Sequence, residues 1–450
     1  MNGILNSAAN VVWGTPMLLF YLSAAVMFTI RSRLFQLTGI NRWMSGTLLR
    51  FFKPQKSENT GNGISQFGAF CSVLAACIGT GNIVGVASAI ASGGAGTVFW
   101  MCLSAFLGMA TSYAENSLGI KYRRKVSGKV KGGAFMYMHD GVKMPGLAKA
   151  YAGLCLFSSL GSGNMTQANS VSESLFRGFG IPQAVTGIAV AAICFLIIRG
   201  GVKRIAKINE YAVPAMSLGF LSLSLWILLK NRKNLLPCSI NIINGAFKKG
   251  DKNKFSGKTA MRYGIARGVF SNEAGIGSST IIHAEDEASS ATDQGCLGAF
   301  EVFTDTILLC TITALSILVS GVWNEGSRLF GAELSIAAYA SVGEWGKKGI
   351  ALLTAVFGFA SLVGWSFYGE KSREEIFKER FSEMYKYLYC SVAFLGCISS
   401  PKIIWSLSDI TNGLMALPNL FSVISLRNEV SWEKKIRRTG ASPRIRFRRA

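Results

Sequence analysis

The sequence predicts a membrane protein that crosses the bilayer many times as α-helices, on three observations. Charged residues are 16% of the 450, well below the share usual in soluble domains, while 50% are apolar. The apolar residues are gathered into uncharged runs long enough to span a bilayer as helices. Those runs do not alternate polar with apolar, as the strands of a membrane barrel would. Glycine is abundant at 50 residues and proline scarce at 9, which excludes collagen-like and disordered chains.

The elements follow in order. Residues 1–30 carry no charge, and 12–30 is long enough to span. With no basic segment ahead of it, this run reads as a retained helix and not as a signal peptide. No formal charge occurs between Glu58 and Glu115, and the turn Ser92-Gly93-Gly94-Ala95-Gly96 divides that run into spans at 66–91 and 97–120. Further spans are expected at 148–175, 183–199, 209–229, 262–283, 295–321, 348–370, 385–400 and 403–426. That makes eleven, and an odd number puts the termini on opposite sides. With the N-terminus outside, 32 of the 47 basic residues fall in cytoplasmic segments and the C-terminus is cytoplasmic. The net charge of +23 is then a topological signal and not a nucleic-acid footprint. Segment 230–262 is the exception: an expected outer loop with nine basic residues.

Two spans carry glycine clusters where a helix must satisfy its own backbone. One is Cys77-Ile78-Gly79-Thr80-Gly81-Asn82-Ile83-Val84-Gly85; the other is Phe270-Ser271-Asn272-Glu273-Ala274-Gly275-Ile276-Gly277-Ser278-Ser279. Once the first helix is set aside, these open two five-helix halves, and matching interrupted segments point to the binding site of a secondary transporter. Five is odd, so the second half inserts inverted. The expected organisation is an extra helix and cytoplasmic loop at 1–60, a first repeat at 61–230, a basic loop at 231–261, an inverted repeat at 262–427 and a basic tail at 428–450.

An unwound turn offers N–H groups to a carboxylate and carbonyls to a hard cation. The backbone of Gly79, Thr80 and Gly81 is therefore the candidate for a substrate carboxylate, although glycines there also suit close helix packing. Asn82 can contact substrate or cap the broken helix. Gln167 can both donate and accept, towards either polar end of an amino acid or in an interhelical bond. No nucleophile–base pair or metal cluster appears and no phosphate-binding loop, so neither an enzyme nor direct ATP drive is expected, and no organic cofactor. Ten cysteines without a CxxC pair read as small apolar residues, with only Cys238 in a loop. Among acids inside spans, Glu273 and Asp305 are the deepest; pairing of Asp305 and Glu301 with Arg267 or Arg262 is expected ahead of the alternative, a proton relay. His139 and His283, near cytoplasmic span ends, are not expected to bind metal or relay protons.

Several long motifs, in order along residues 5–427, resemble the alanine or glycine:cation symporter family, the sodium:alanine symporters. They are Ile78-Gly79-Thr80-Gly81-Asn82-Ile83-Val84-Gly85-Val86-Ala87, Gly163-Asn164-Met165-Thr166-Gln167-Ala168-Asn169-Ser170-Val171 and Arg267-Gly268-Val269-Phe270-Ser271-Asn272-Glu273-Ala274-Gly275-Ile276-Gly277-Ser278. Gly364-Trp365-Ser366-Phe367-Tyr368-Gly369-Glu370 and Asn412-Gly413-Leu414-Met415-Ala416-Leu417-Pro418-Asn419 belong with them. The resemblance implies sodium-coupled symport of a small neutral amino acid, alanine with glycine as a second candidate, in a prokaryotic cell membrane. It also implies a LeuT-type fold of two inverted five-helix repeats, preceded here by one extra helix.

The resemblance favours Gln167 as a substrate contact and puts Phe270, Ser271, Asn272, Gly275 and Ser278 on the same cavity. Phe270 and Trp365 would form an apolar wall that limits the substrate side chain. By the same analogy sodium lies between the carbonyls of Ala75, Ile78 and Phe357 and the hydroxyl of Ser361. Two adjacent hydroxyl residues are expected at the last position, and residue 360 is Ala instead. That departure motivates an alternative, a proton-coupled or ion-independent exchanger. An alternative of another class is an amino-acid sensor that signals through the basic tail.

Overall fold

The computed structural model describes residues 2–47, 66–126, 129–249, 255–285 and 290–432, so most of the basic tail lies outside the described residues. The chain opens with α1 (Asn2–Val12), and α2 (Thr15–Arg31) starts with a proline in its first turn, where its missing N–H costs nothing. The second span is two helices, α3 (Gln66–Cys77) and α4 (Val84–Gly93); α5 (Thr97–Lys121) is continuous. The fourth runs from α6 (Pro145–Leu160) through a π turn at Gly161–Met165 into α7 (Thr166–Phe179). Then come α8 (Gln183–Ile198), α9 (Gly201–Lys230) and α10 (Leu235–Ala246).

The seventh span is again in two pieces, α11 (Gly257–Asn272) and α12 (Ser279–His283). A capping box of Ser290 and Asp293 starts α13 (Ala291–Val302), which passes through a π stretch, Phe303–Cys310, into α14 (Thr311–Val319). The chain continues with α15 (Ala332–Ala340), α16 (Glu344–Phe377), α17 (Ser382–Ile398) and α18 (Pro401–Ser425).

Each of the eleven segments expected as spans holds helix in the structure, with the second and seventh interrupted. By length and apolarity alone, α5, Lys203–Lys230, Ala291–Val319 and α16 can each cross a bilayer, and the bent pair Phe70–Cys77 with Thr80–Gly93 makes a fifth. α2 and α8 are apolar but shorter.

The core packs α5 against α11 and α13, α16 against α7, and α8 against α17. Tyr21 and Phe28 of α2, Met109 of α5 and Leu420 of α18 meet in its largest cluster. A second cluster joins Ile78 and Ile83 at the break to Phe220 of α9 and Phe357 of α16.

The sequence reading missed α1, α10, α15 and the hairpin of β1 (Arg124–Val126) with β2 (Lys129–Lys131). Cys238 is therefore not a loop residue: it is buried in α10, and all ten cysteines are free thiols. The last carbonyl of α10, on Ala246, accepts from the Trp100 indole near the start of α5, at 3.1 Å, and Lys248 pairs with Glu325 at 2.8 Å. At the other end of α5 a strap formed by residues 428–432 closes over the bundle. Arg31 donates to Asn428 at 2.7 Å, Lys121 pairs with Glu429 at 2.9 Å, and Trp432 stacks on Tyr113 at 4.6 Å.

Candidate functional site

The site is built on the two breaks. After Cys77 the backbone is extended at Gly79, makes one tight turn over Thr80–Asn82, and resumes as α4 at a bend of 47°. The second break follows Asn272. Glu273 takes left-handed backbone (φ 56°), and Gly275 and Gly277, at φ 88° and 82°, supply the conformations that α12 needs to restart.

Gly79 leaves little room for a side chain. A Cβ there would stand 2.8 Å from the Ser361 Oγ and 3.0 Å from the Gln167 Oε1. Close by, Gln167 Oε1 accepts from both the Thr80 N–H (3.0 Å) and the Thr80 hydroxyl (2.8 Å). Its amide group also reaches the Ser162 carbonyl at 3.3 Å, so one side chain ties the first break to the π turn of the fourth span.

A small cavity lies there. Of the residues expected at the substrate, Gly81, Gln167, Phe270, Ser271 and Trp365 line it, and so does Ser361 from the expected sodium set. Its wall is partly aromatic, with Phe270 against Trp405 at 4.9 Å. Thr80 is fully buried behind Gln167.

Four other expected contacts are turned away from the cavity, towards neighbouring helices. Asn82 does not cap α4; its amide donates to the Asp305 carbonyl (2.9 Å) and carboxylate (2.7 Å). Asn272 donates to the Thr306 hydroxyl at 3.0 Å while its carbonyl accepts from Ala274 N–H. The Ser278 hydroxyl donates to Glu273. Gly275 N–H donates to Glu115 at 3.2 Å, and its carbonyl accepts from Asn419 at 2.9 Å.

Of the expected sodium ligands, Ala75, Ile78 and Phe357 are buried in one cluster, and the Ser361 hydroxyl donates to the Ala76 carbonyl at 3.0 Å. Ala360 is also buried, beside them in the same cluster. Oxygen atoms of this kind suit a hard cation and not a soft one.

Sequence reasoning missed Ser162, Glu273 and Asn412 as cavity residues, although each lies in or beside a quoted motif. Asn412 accepts from Ser158 (2.7 Å) and Ser162 (2.9 Å), which holds α18 to the fourth span. The expected pairing of Asp305 or Glu301 with Arg267 or Arg262 is not what forms. Arg267 makes a two-pronged bond to Asp409, 2.9 Å for one prong, and stacks on Trp405 at 4.5 Å. Asp305 is satisfied by Asn82 and Thr306 instead, and one carboxyl oxygen of Glu301 is met by His283.

A family model described as the sodium:alanine symporter family matches residues 1–437. The chain belongs to the sodium:alanine symporter family. It is accordingly a multi-pass membrane transporter and not an enzyme. A sodium/alanine symporter, AgcS, of Methanococcus maripaludis is 35% identical over 439 residues, covering 96% of each chain. An uncharacterized transporter of Haemophilus influenzae is 36% identical over 445 residues, 97% of this chain and 96% of that one. A probable sodium/glutamine symporter, GlnT, of Bacillus subtilis is 33% identical over 435 residues, 95% of this chain and 88% of that one. In fold, this family member is similar to a crystal structure of a manganese transporter from Eremococcus coleocola. The TM-score is 0.55 at 13% identity, over 83% of this chain and 80% of that one.

Proposed function

We propose that this transporter carries a small neutral amino acid, alanine with glycine as a second candidate, into the cell together with sodium. The carrying observation is the small cavity at the two helix breaks, walled by Phe270 and Trp365 and edged by the polar groups of Gln167 and Ser271. In this reading, backbone N–H groups around Gly79–Gly81 and the Gln167 amide hold the substrate carboxylate, and carbonyls and hydroxyls of the second break hold its ammonium. Asn82, Asn272, Gly275 and Ser278 keep the breaks in shape through their bonds to Asp305, Thr306, Glu115 and Glu273. Sodium lies among the Ala75, Ile78 and Phe357 carbonyls and Ser361. The aromatic wall excludes larger side chains, each added methylene weakening transition-state binding by about 1–3 kcal/mol.

The fold in this proposal is two inverted five-helix repeats after one extra helix, with access alternating as one set of helices rocks against the other. The N-terminus is outside in the prokaryotic cell membrane and the strap at 428–432 is cytoplasmic. Proteoliposomes holding the full chain test the reading: an inward sodium gradient is expected to drive alanine accumulation. Accumulation that ignores sodium and follows a proton gradient would replace sodium as the coupling ion, and counterflow without any ion dependence would make the protein an exchanger.

A further inference from the structure

One buried cluster plays no part in that cycle. α12 ends on His283, which the sequence places near a span end but whose side chain is fully enclosed. Both ring nitrogens are engaged: Nδ1 meets the Gln294 Oε1, and Nε2 lies 3.0 Å from the Glu301 Oε2. Gln294 and Glu301 are two turns apart on one face of α13, so that face grips the imidazole from both sides. The second carboxyl oxygen of Glu301 is buried and accepts no hydrogen bond from the described residues.

Counting protons gives this cluster a function. With Gln294 presenting its oxygen, the ring must carry its hydrogen on Nδ1. Nε2 and the Glu301 oxygen are then two lone-pair atoms facing each other, and one further proton must sit between them. The pair is neutral in that state. If the Gln294 amide turns over, its N–H donates to Nδ1, the ring hydrogen moves to Nε2, and Nε2–H donates to an ionised Glu301. Both ring contacts, to Gln294 and to Glu301, are kept, one proton has left, and the pair carries a charge of −1.

The surroundings set which state holds. α12 packs on α3, α5 and α16, and α13 packs on α5 and the π turn Asn41–Ser45. From α3 and α16, Cys77 and Tyr368 lie within electrostatic reach of Glu301, as do the acids Glu273 and Asp305. From α5 come Tyr113, which packs on Gly295 of α13, and Glu115, already bonded to Asn419. The nearby cations are Arg42 of the π turn, Arg123, which donates to the Ala284 carbonyl at 3.2 Å, and Lys371, held by Glu285 at 2.7 Å.

We propose that His283 and Glu301 form a proton-binding site, clamped by Gln294, that joins the second half of the broken seventh span to α13. Glu273 and Asp305 face its interior side, and positive charge arriving there favours loss of the proton. Cys77, within electrostatic reach of Glu301, directly precedes Ile78, so a cation held at Ile78 would favour loss of the proton. By linkage, the proton weakens that cation by the same factor. This second step rests on the sodium reading above; the proton site itself does not.

Infrared difference spectra of the full chain in lipid, stepped between about pH 5 and 8, test the site directly. Acidification is expected to raise a protonated-carboxyl band that Glu301→Gln removes and His283→Gln displaces. A spectrum unchanged by either substitution overturns the proposal, and if one variant fails to fold the other still decides. Adding sodium to weakly buffered protein is expected to release about one proton per chain in the wild type and none in Glu301→Gln. Absence of release while the carboxyl band persists in the wild type rejects the coupling to sodium and leaves the proton site standing.

Discussion

At the scale of single residues, the site depends on where side chains are absent. Gly79 lies between Ser361 and Gln167, and neither can retreat without losing a hydrogen bond to Ala76 or Thr80. Overpacking of this kind costs about 1–3 kcal/mol, so Gly79→Ala is expected to weaken alanine binding about tenfold or more while the protein still folds. Isothermal titration in detergent reads this, and unchanged affinity would remove Gly79 from the site. Ala360 makes the opposite prediction. Ala360→Ser adds an oxygen beside Ser361, and the sodium concentration for half-maximal uptake is expected to fall several-fold; no change would place the ion elsewhere. The motifs made Gly81, Gln167, Phe270, Ser271 and Trp365 legible as cavity residues, because glycine clusters and polar residues inside apolar spans require an explanation. Which way Asn82 and Asn272 turn was not legible. That depends on Asp305 and Thr306, which are far away in the chain and become neighbours only after the eighth span packs against both breaks.

At the scale of elements, the bond between Arg267 and Asp409 ties α11 to α18 close to the aromatic wall. Removing one member of a buried pair leaves the other charged and unmatched, at about 3–5 kcal/mol. Arg267→Ala is expected to lower the thermal stability of the purified protein sharply, and the double change with Asp409→Ala to recover part of the loss. If the double variant is no more stable than Arg267→Ala, the ion pair is not the cause. Sequence reasoning gave Arg267 the wrong partner because Asp305 and Glu301 are nearer to it along the chain, whereas α18 approaches only through tertiary packing. Elements of 9–12 residues, such as α10 and α15, were missed for a related reason. They are too short to span, so hydropathy reads them as loop.

At the scale of the whole molecule, the eleven helical segments and both breaks were legible from charge-free runs, and the strap was not. Hydrogen bonding from Tyr122, helped by Lys121, holds the Glu429 carboxyl below the usual carboxylate range against its partial burial. A depressed value means that this contribution is complete above the ordinary carboxylate range and is lost as pH falls through the lowered one. The strap is therefore expected to stay docked at neutral pH and to loosen only in acid, and Glu429→Gln should abolish that dependence. A fluorine resonance from fluorotryptophan at position 432 follows the docking; identical titrations in the two proteins would assign the change to another group. The basic segment also has a side to be tested. α10 and Lys248 share one face with the start of α5 and with Glu325, and the strap occupies the other. Lys249→Cys, in a background stripped of reactive thiols, is expected to react with an impermeant reagent from outside the cell. Reaction only after permeabilisation would invert the topology.

The strap also fixes the order in which the molecule can be finished. Asn428 lies 397 residues after Arg31, and Ser431, whose carbonyl accepts from the Tyr113 hydroxyl, lies 318 residues after it. During synthesis α2 and α5 enter the membrane long before their covering segment exists. The Tyr113 hydroxyl cannot meet the Ser431 carbonyl while the remaining helices are made, and that end of the bundle can close only once residues 428–432 have left the ribosome. Variants of the strap should therefore reach the membrane normally and fail late, as fully inserted chains that quality-control proteases still recognise.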